Sequence, residues 1–269
     1  MRLACWLFLA WHAAVAGWLE DAKKQAAALE AARQWDQAAN VYQASLTRLG
    51  DSGSCQDRFW LLTSLAEVSF DLQHYDRVRG WLQQAERSVC DPARNSPESV
   101  RLLNARGALH LVEGNLTAAE RELSQAVEAS PADELPNDLA VALHNLAAVE
   151  MHRRHLAEAA AHEEKALAMF RQQFGDRHYY VMKAQISLSS LQGLSGDWRA
   201  AAATLEAALA VEQTPEALAN YAIVLDKLNR HRQARKIRRR SALAKLPMSA
   251  LADVHELGYE TGGITVRTR

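Results

Sequence analysis

Gly50-Asp51-Ser52-Gly53 sets a serine beside a carboxylate between two glycines, a string that can carry nucleophilic catalysis when a rigid scaffold holds it. That chemistry on this string needs β-barrel walls, and helical sequence flanks it on both sides, so it reads as a polar loop between helices. His144, His152, His155 and His162 lie close together in the chain. A metal site would need such imidazoles to converge at ~2 Å with supporting hydrogen bonds behind them. His152 and His155 are one turn apart, but His155 falls in a turn between helices. The four read as packing or solvated side chains, and no metal is expected. Asn115-Leu116-Thr117 is a glycosylation sequon, and equally a turn with a cap. The sequence has no Gly-rich phosphate loop, no HExxH, no CxxC and no paired-carboxylate motif. No catalytic residue and no cofactor is assigned, and a non-enzymatic chain is expected.

Charge narrows the partners. Lys and Arg number 31 against 32 Asp and Glu, a net charge of -1, so the chain as a whole makes no electrostatic case for nucleic acid. One stretch departs from this balance. Residues 230–240 carry seven Lys and Arg and no Asp or Glu. No aromatic residues interleave with them, so a solvated terminal helix is favoured over a nucleic-acid site. An acidic partner or a lipid headgroup stays open as the alternative.

The N-terminus reads MRLACWLFLAWHAAVAG. Arg2, the apolar run from Leu3 to Trp11, and Ala14-Val15-Ala16 before Gly17 follow the order of a secretory signal peptide. Residues 1–16 are assigned to it, and the mature chain is expected to begin near Gly17, exported to a periplasm or beyond. The other reading is an uncleaved anchor, although the run is short of the ~20 apolar residues a spanning helix needs. No other segment is apolar enough to cross a membrane.

The elements that carry these residues are helical. Hydrophobic residues make up 49% of the chain and Gly and Pro are few, which favours helix. The stretch GNLTAAERELSQAVEASP at 114–131 shows the unit. Leu116, Ala119, Leu123, Ala126 and Val127 form an apolar stripe, Pro131 ends it, and Thr117 with Glu120 suggests a capping box at its start. The same order of residues recurs at Trp35, Ala38, Tyr42, Ser45, then at Tyr75, Val78, Leu82, Ala85, and at Trp198, Ala201, Leu205, Ala208. It recurs with Glu163 in place of the large apolar residue at Leu156, Ala159, Glu163, Ala166, and weakly at His231, Ala234, Arg238, Ser241. Each copy follows a first helix with its own small residue: Ala26, Ala66, Gly107, Ala147, Ser189, Ala222. Two helices per unit at a fixed period predict a solenoid, with the small residues where helix backbones cross.

This pattern resembles the tetratricopeptide repeat family, most closely over residues 100–131. The longer units, with FGDRHYY at 174–180, look like its kinesin-light-chain type. The resemblance implies an all-α, right-handed superhelical solenoid of stacked antiparallel helix pairs. About six repeats would span residues 17–245, with a C-terminal tail over 246–269. It also implies a scaffold or adaptor for a protein or peptide segment held in the concave groove, or alternatively a structural subunit of a cell-envelope or secretion assembly. In that family the first helices line the groove. Carried to this chain, Asn104, His144, Met151, His152, Lys183 and Ile186 face a partner. Asn145 and Asn220 stand one residue before the inward Leu146 and Tyr221, where their amides can donate to and accept from a ligand backbone. The other reading of those amides is that they satisfy a neighbouring helix.

Two cysteines, Cys55 and Cys90, follow the signal segment, an even count in an oxidising compartment. They sit at the ends of one predicted helix pair that the antiparallel arrangement brings together. A disulfide over a loop of about 35 residues is expected, against two separately packed thiols as the alternative.

Overall fold

The computed structural model describes residues 17–240 apart from 31, 33, 51, 52, 94 and 132. The signal segment, the 246–269 tail, the last residues of the expected array and Asp51-Ser52 of the polar loop lie outside the described residues. Among the described residues every regular element is a helix. α1 is described over 17–30. It is followed by α2 (Trp35–Leu49), α3 (Cys55–Asp71), α4 (Tyr75–Glu86), α5 (Pro97–Val112), α6 (Leu116–Ala129), α7 (Pro136–His152), α8 (Leu156–Phe174), α9 (Tyr179–Leu194), α10 (Trp198–Val211), α11 (Pro215–Lys227) and α12 (His231–Arg240). None is long and apolar enough to cross a membrane. Odd-numbered helices are the first and even-numbered the second of each repeat; α3 packs on α4, α7 on α8, α9 on α10 and α11 on α12, the all-α stacked-pair architecture expected of the repeat.

The chain divides into two compact units inside α5, after Leu109. In the N-terminal unit Leu19, Ala26, Ala38, Tyr42, Leu61, Leu65 and Val68 form the core, flanked by Trp18, Trp35, Trp60 and Trp81. In the C-terminal unit Leu111 packs with Ala119 and Leu123 of α6 and with Leu146, Ala148 and Val149 of α7. Further along, Met182 and Ile186 of α9, Ala201, Leu205 and Ala208 of α10, and Ala217 and Val224 of α11 share one cluster.

Burial follows the register read from the sequence. The early small residue of each second helix, Ala38, Val78, Ala119, Ala159, Ala201 and Ala234, is fully buried. So are Ala26, Ala66, Ala147, Ser189 and Ala222 on the first helices, to within 1%. Close approach of helix backbones favours small side chains at the crossing, Val78 being the largest found there, and the large residue one turn later fills the space beside it.

The turns inside the pairs share one geometry. Each of the last five has three residues between helices, and one of them takes a positive φ: Gln73 (58), Gly114 (74), Arg154 (67), Gly196 (86) and Asn229 (61). The next N–H then reaches back five residues to an orphan carbonyl: His74 to Ser69, Asn115 to His110, His155 to Glu150, Asp197 to Gln192 and Arg230 to Leu225, all at 2.8–2.9 Å. This is the left-handed closure that satisfies the end of one helix and reverses the chain for the next. Starts are capped by side chains as well. Ser54, Asp197 and Thr214 accept from the third residue beyond them, and Pro136 and Pro215 occupy first-turn positions. The expected Thr117–Glu120 capping box does not form. Asn115, a stronger cap than threonine, sits directly after the Gly114 reversal, accepts from Ala118 N–H at 3.3 Å and starts α6 at Leu116. Glu120 is left to bind Arg153 across the pair interface at 2.8 Å.

Cys55 opens α3, and Cys90 lies four residues past the last residue of α4, in the longest connection between described pairs. They form a disulfide with Cα atoms 5.6 Å apart, closing a sequence separation of 35.

Two outcomes follow. Gly196→Ala places a Cβ in open space but in a left-handed backbone, and should cost about 1–2 kcal/mol in denaturant unfolding, whereas Gly80→Ala, inside a helix at ordinary φ, should cost nothing. Cys55→Ser with Cys90→Ser should lower stability by about 3–4 kcal/mol, and dithiothreitol should reproduce that loss in the parent chain but leave the variant unchanged.

Candidate partner-binding face

The first helices α9 and α11 of the C-terminal unit carry polar side chains at one repeat-equivalent position. Lys183 stands six residues before the crossing residue Ser189, and Glu216 six before Ala222. The shared register puts them side by side on α9 and α11, with Nζ of Lys183 3.5 Å from Oε2 of Glu216. Both are mostly buried. His144 of α7 lies beneath the same face and meets Glu163 of α8, Nδ1 to Oε1 2.8 Å.

Glu163 is the residue that breaks the repeat. The equivalent positions hold Tyr42, Leu82, Leu123 and Leu205, all buried, and Glu163 is buried as deeply as any of them, at 0% exposure. A carboxylate occupies a leucine's place in the core. Burial raises its proton affinity above the usual carboxylate range, and His144 pulls only partly against that. The pair is held together in either protonation arrangement. The imidazole N–H donates to a carboxylate, or a carboxyl O–H donates to the ring nitrogen. The second oxygen of Glu163, Oε2, has no hydrogen-bond partner among the described residues. Burial likewise raises Glu216, with Lys183 and more weakly His144 lowering it.

The sequence-derived residues are placed as follows. His144 and Lys183 belong to these polar pairs. Asn145 and Asn220 are fully buried, and Asn220 donates from Nδ2 to Oγ of Ser190 on α9 at 3.4 Å, which joins α11 to its neighbour. Asn104, in the N-terminal unit, is 1% exposed. His152, at the C-terminal end of α7, is half-buried. Met151 and Ile186 are core residues. The histidines do not converge. His144 goes to Glu163 and His162 to Glu150 at 2.9 Å, each using a carboxylate of the adjoining helix. Sequence reasoning noted Glu163 only as a departure and passed over Glu216. The signal for Glu216 was its register, equivalent to Lys183.

The helix pairs and their left-handed turns define an all-helical fold of the tandem-repeat kind. Residues 138–214, from α7 to the end of α10, match the tetratricopeptide repeat family. The fold of the chain is shared with several solved proteins. It is similar to BtubC (BKLC) from P. vanneervenii (16% identity, 87% of this chain and 94% of that one, TM-score 0.55). It is also similar to PilW, a widely conserved type IV pilus biogenesis factor (17%, 89% and 96%, TM-score 0.56). A third is a Rap protein complexed with Competence and Sporulation Factor (15%, 87% and 67%, TM-score 0.65). No curated protein matches the sequence.

The buried pair makes a thermodynamic prediction. His144→Leu alone leaves Glu163 without its partner and should destabilise by about 3–5 kcal/mol, whereas His144→Leu with Glu163→Leu restores the residue type of the other repeats and should recover most of that loss. The pH dependence has a definite sign. A folded-state pKa above the unfolded value means the native state binds more protons between the two, so stability falls as pH rises through that window. Chemical unfolding from the ordinary carboxylate pKa upward should show this fall in the parent and a shallower one in Glu163→Gln.

Proposed function

We propose that this chain is a non-enzymatic adaptor whose first-helix face holds a peptide or protein segment. The observation that supports this is the Lys183–Glu216 pair at equivalent positions of adjacent first helices, beside His144. A stack needs only apolar or small residues there, as Val141 shows at the same register position of α7. In this reading Lys183 supplies charge, and His144 and His152 ring nitrogens, to a partner, with Asn145 and Asn220 on the same helices; Asn104 is a separate candidate within the N-terminal unit. The solved Rap protein complexed with Competence and Sporulation Factor supports the use of such a fold to hold another molecule. We further read the repeats as the kinesin-light-chain type, on the 42-residue step from Ala159 to Ala201. We read the chain as exported, because the Cys55–Cys90 bond belongs to an oxidising compartment.

The test is peptide selection by display against the full chain. Lys183→Met with Glu216→Met removes both charges together, so no buried ion is left alone, and affinity for the selected peptides should drop at least tenfold with unchanged helical circular dichroism. Equal affinity would move the site elsewhere. The second reading, a structural subunit of an envelope assembly, draws on the fold shared with the pilus biogenesis factor PilW. It is favoured if the native chain copurifies in a stable complex and the isolated chain selects no peptide.

A further inference from the structure

The last second helix, α12, ends the described stack with a face the other second helices use for packing. In α10 that face is seen directly. Glu206 accepts a hydrogen bond from the Tyr221 hydroxyl of α11 at 2.6 Å, the Lys227 ammonium of α11 lies over the Trp198 ring at 5.6 Å, and Ala202 is buried against α11. Ala234 of α12 is the equivalent of Ala201 of α10, and both are fully buried. Along that register Trp198, Ala202 and Glu206 become His231, Arg235 and Arg239. The surface that receives the next first helix in the preceding pair is therefore cationic in α12.

Arg232, Arg235, Lys236 and Arg239 form one stripe at i, i+3, i+4 and i+7, and together line an open depression of about 430 Å³. None of the four meets a carboxylate among the described residues. Asp226, the acid nearest in the chain, is spent on His231 at 3.0 Å and on Arg238 at 2.5 Å. The stripe spans about 10 Å along the helix, the length over which a partner helix presents carboxylates at the same spacing. Three of its four cations are arginines, whose planar forks bind carboxylates in two-point geometry. No apolar side chain lies within the stripe to enter a bilayer, which favours a protein partner over a membrane surface.

We propose that the exposed face of α12 is a docking site for an acidic helix of a partner protein, which stacks where the first helix of a further pair would lie. The site is separate from the first-helix face, so the two proposals fail independently.

The test uses the full chain and two synthetic alanine-based helical peptides, one with glutamates at i, i+3, i+4 and i+7 and one with glutamines there. Fluorescence anisotropy at low salt should show the glutamate peptide binding at least tenfold tighter than the glutamine peptide. That affinity should fall steeply with salt and drop at least tenfold in Arg235→Gln with Arg239→Gln, both exposed and without a packing role in the described structure. Equal binding of the two peptides, or no effect of the substitutions, overturns the proposal. Vesicles containing phosphatidylglycerol that bind the chain while the glutamate peptide does not would overturn it in favour of a lipid surface. A chain that binds the glutamate peptide only after Asp253, Glu256 and Glu260 are changed to amides would overturn it in favour of the chain's own acids as occupant.

Discussion

Two helices can lie within van der Waals reach of each other's backbones only where the residues at their crossing carry almost no side chain. In this chain that condition is met by Ala26, Ala66, Ala147, Ser189 and Ala222 on the first helices and by Ala38, Ala119, Ala159, Ala201 and Ala234 on the second, none more than 1% exposed. The other features follow from it. The crossing fixes where the large neighbour must go, and so places Tyr42, Leu82, Leu123 and Leu205. It fixes the pair separation, and so the three-residue reversal with one left-handed residue. It also fixes the depth at which a polar residue on the same face is cut off from water.

That depth explains the polar pairs. Glu163 is in a leucine's position, and it is tolerated because the adjoining first helix offers His144 at hydrogen-bond distance. Lys183 and Glu216 occupy one register on neighbouring helices and neutralise each other. A buried pair of this type adds little net stability compared with apolar residues of the same volume, because desolvation offsets the attraction. Its effect is on specificity of alignment: a one-turn slip of α9 against α11 would separate both charges. A stack of near-identical alanine-rich helices has few other marks that tell one neighbour from the next.

Much of this could be read from the residues. The crossing positions were legible because six copies repeat them, and the pairing of helices followed from the period. The cysteines were legible as a pair of ends brought together by an antiparallel hairpin, although Cys90 stands beyond its helix rather than at its close. Other features were hidden for physical reasons. The common turn was not visible because only Gly114 and Gly196 advertise a left-handed residue. Gln73 and Arg154 adopt the same φ under the pull of the closing hydrogen bond. The sequon at Asn115 was read equally as a turn with a cap, and Asn115, rather than Thr117, is that cap. The asparagines at 145 and 220 carry no sequence mark that separates a ligand contact from a buried interhelix bond, since the same amide serves both. Glu216 sits in the first turn of α11, where an acid is ordinary, and its pairing appears only when two repeats are laid on each other.

The Cys55–Cys90 bond also bears on how the chain would carry load. A linear stack of helix pairs pulled from its two ends peels apart pair by pair, since each contributes its own length to the extending chain. Force entering at Cys55 crosses the sulfur bridge and leaves at Cys90, so the 35-residue span between them does not lie on the loaded path. About 120 Å of contour length is withheld from extension. Under tension α3 and α4 stay a closed loop while the pairs on either side are free to unravel, and a reducing agent would turn the same segment from an inextensible link into an extensible one.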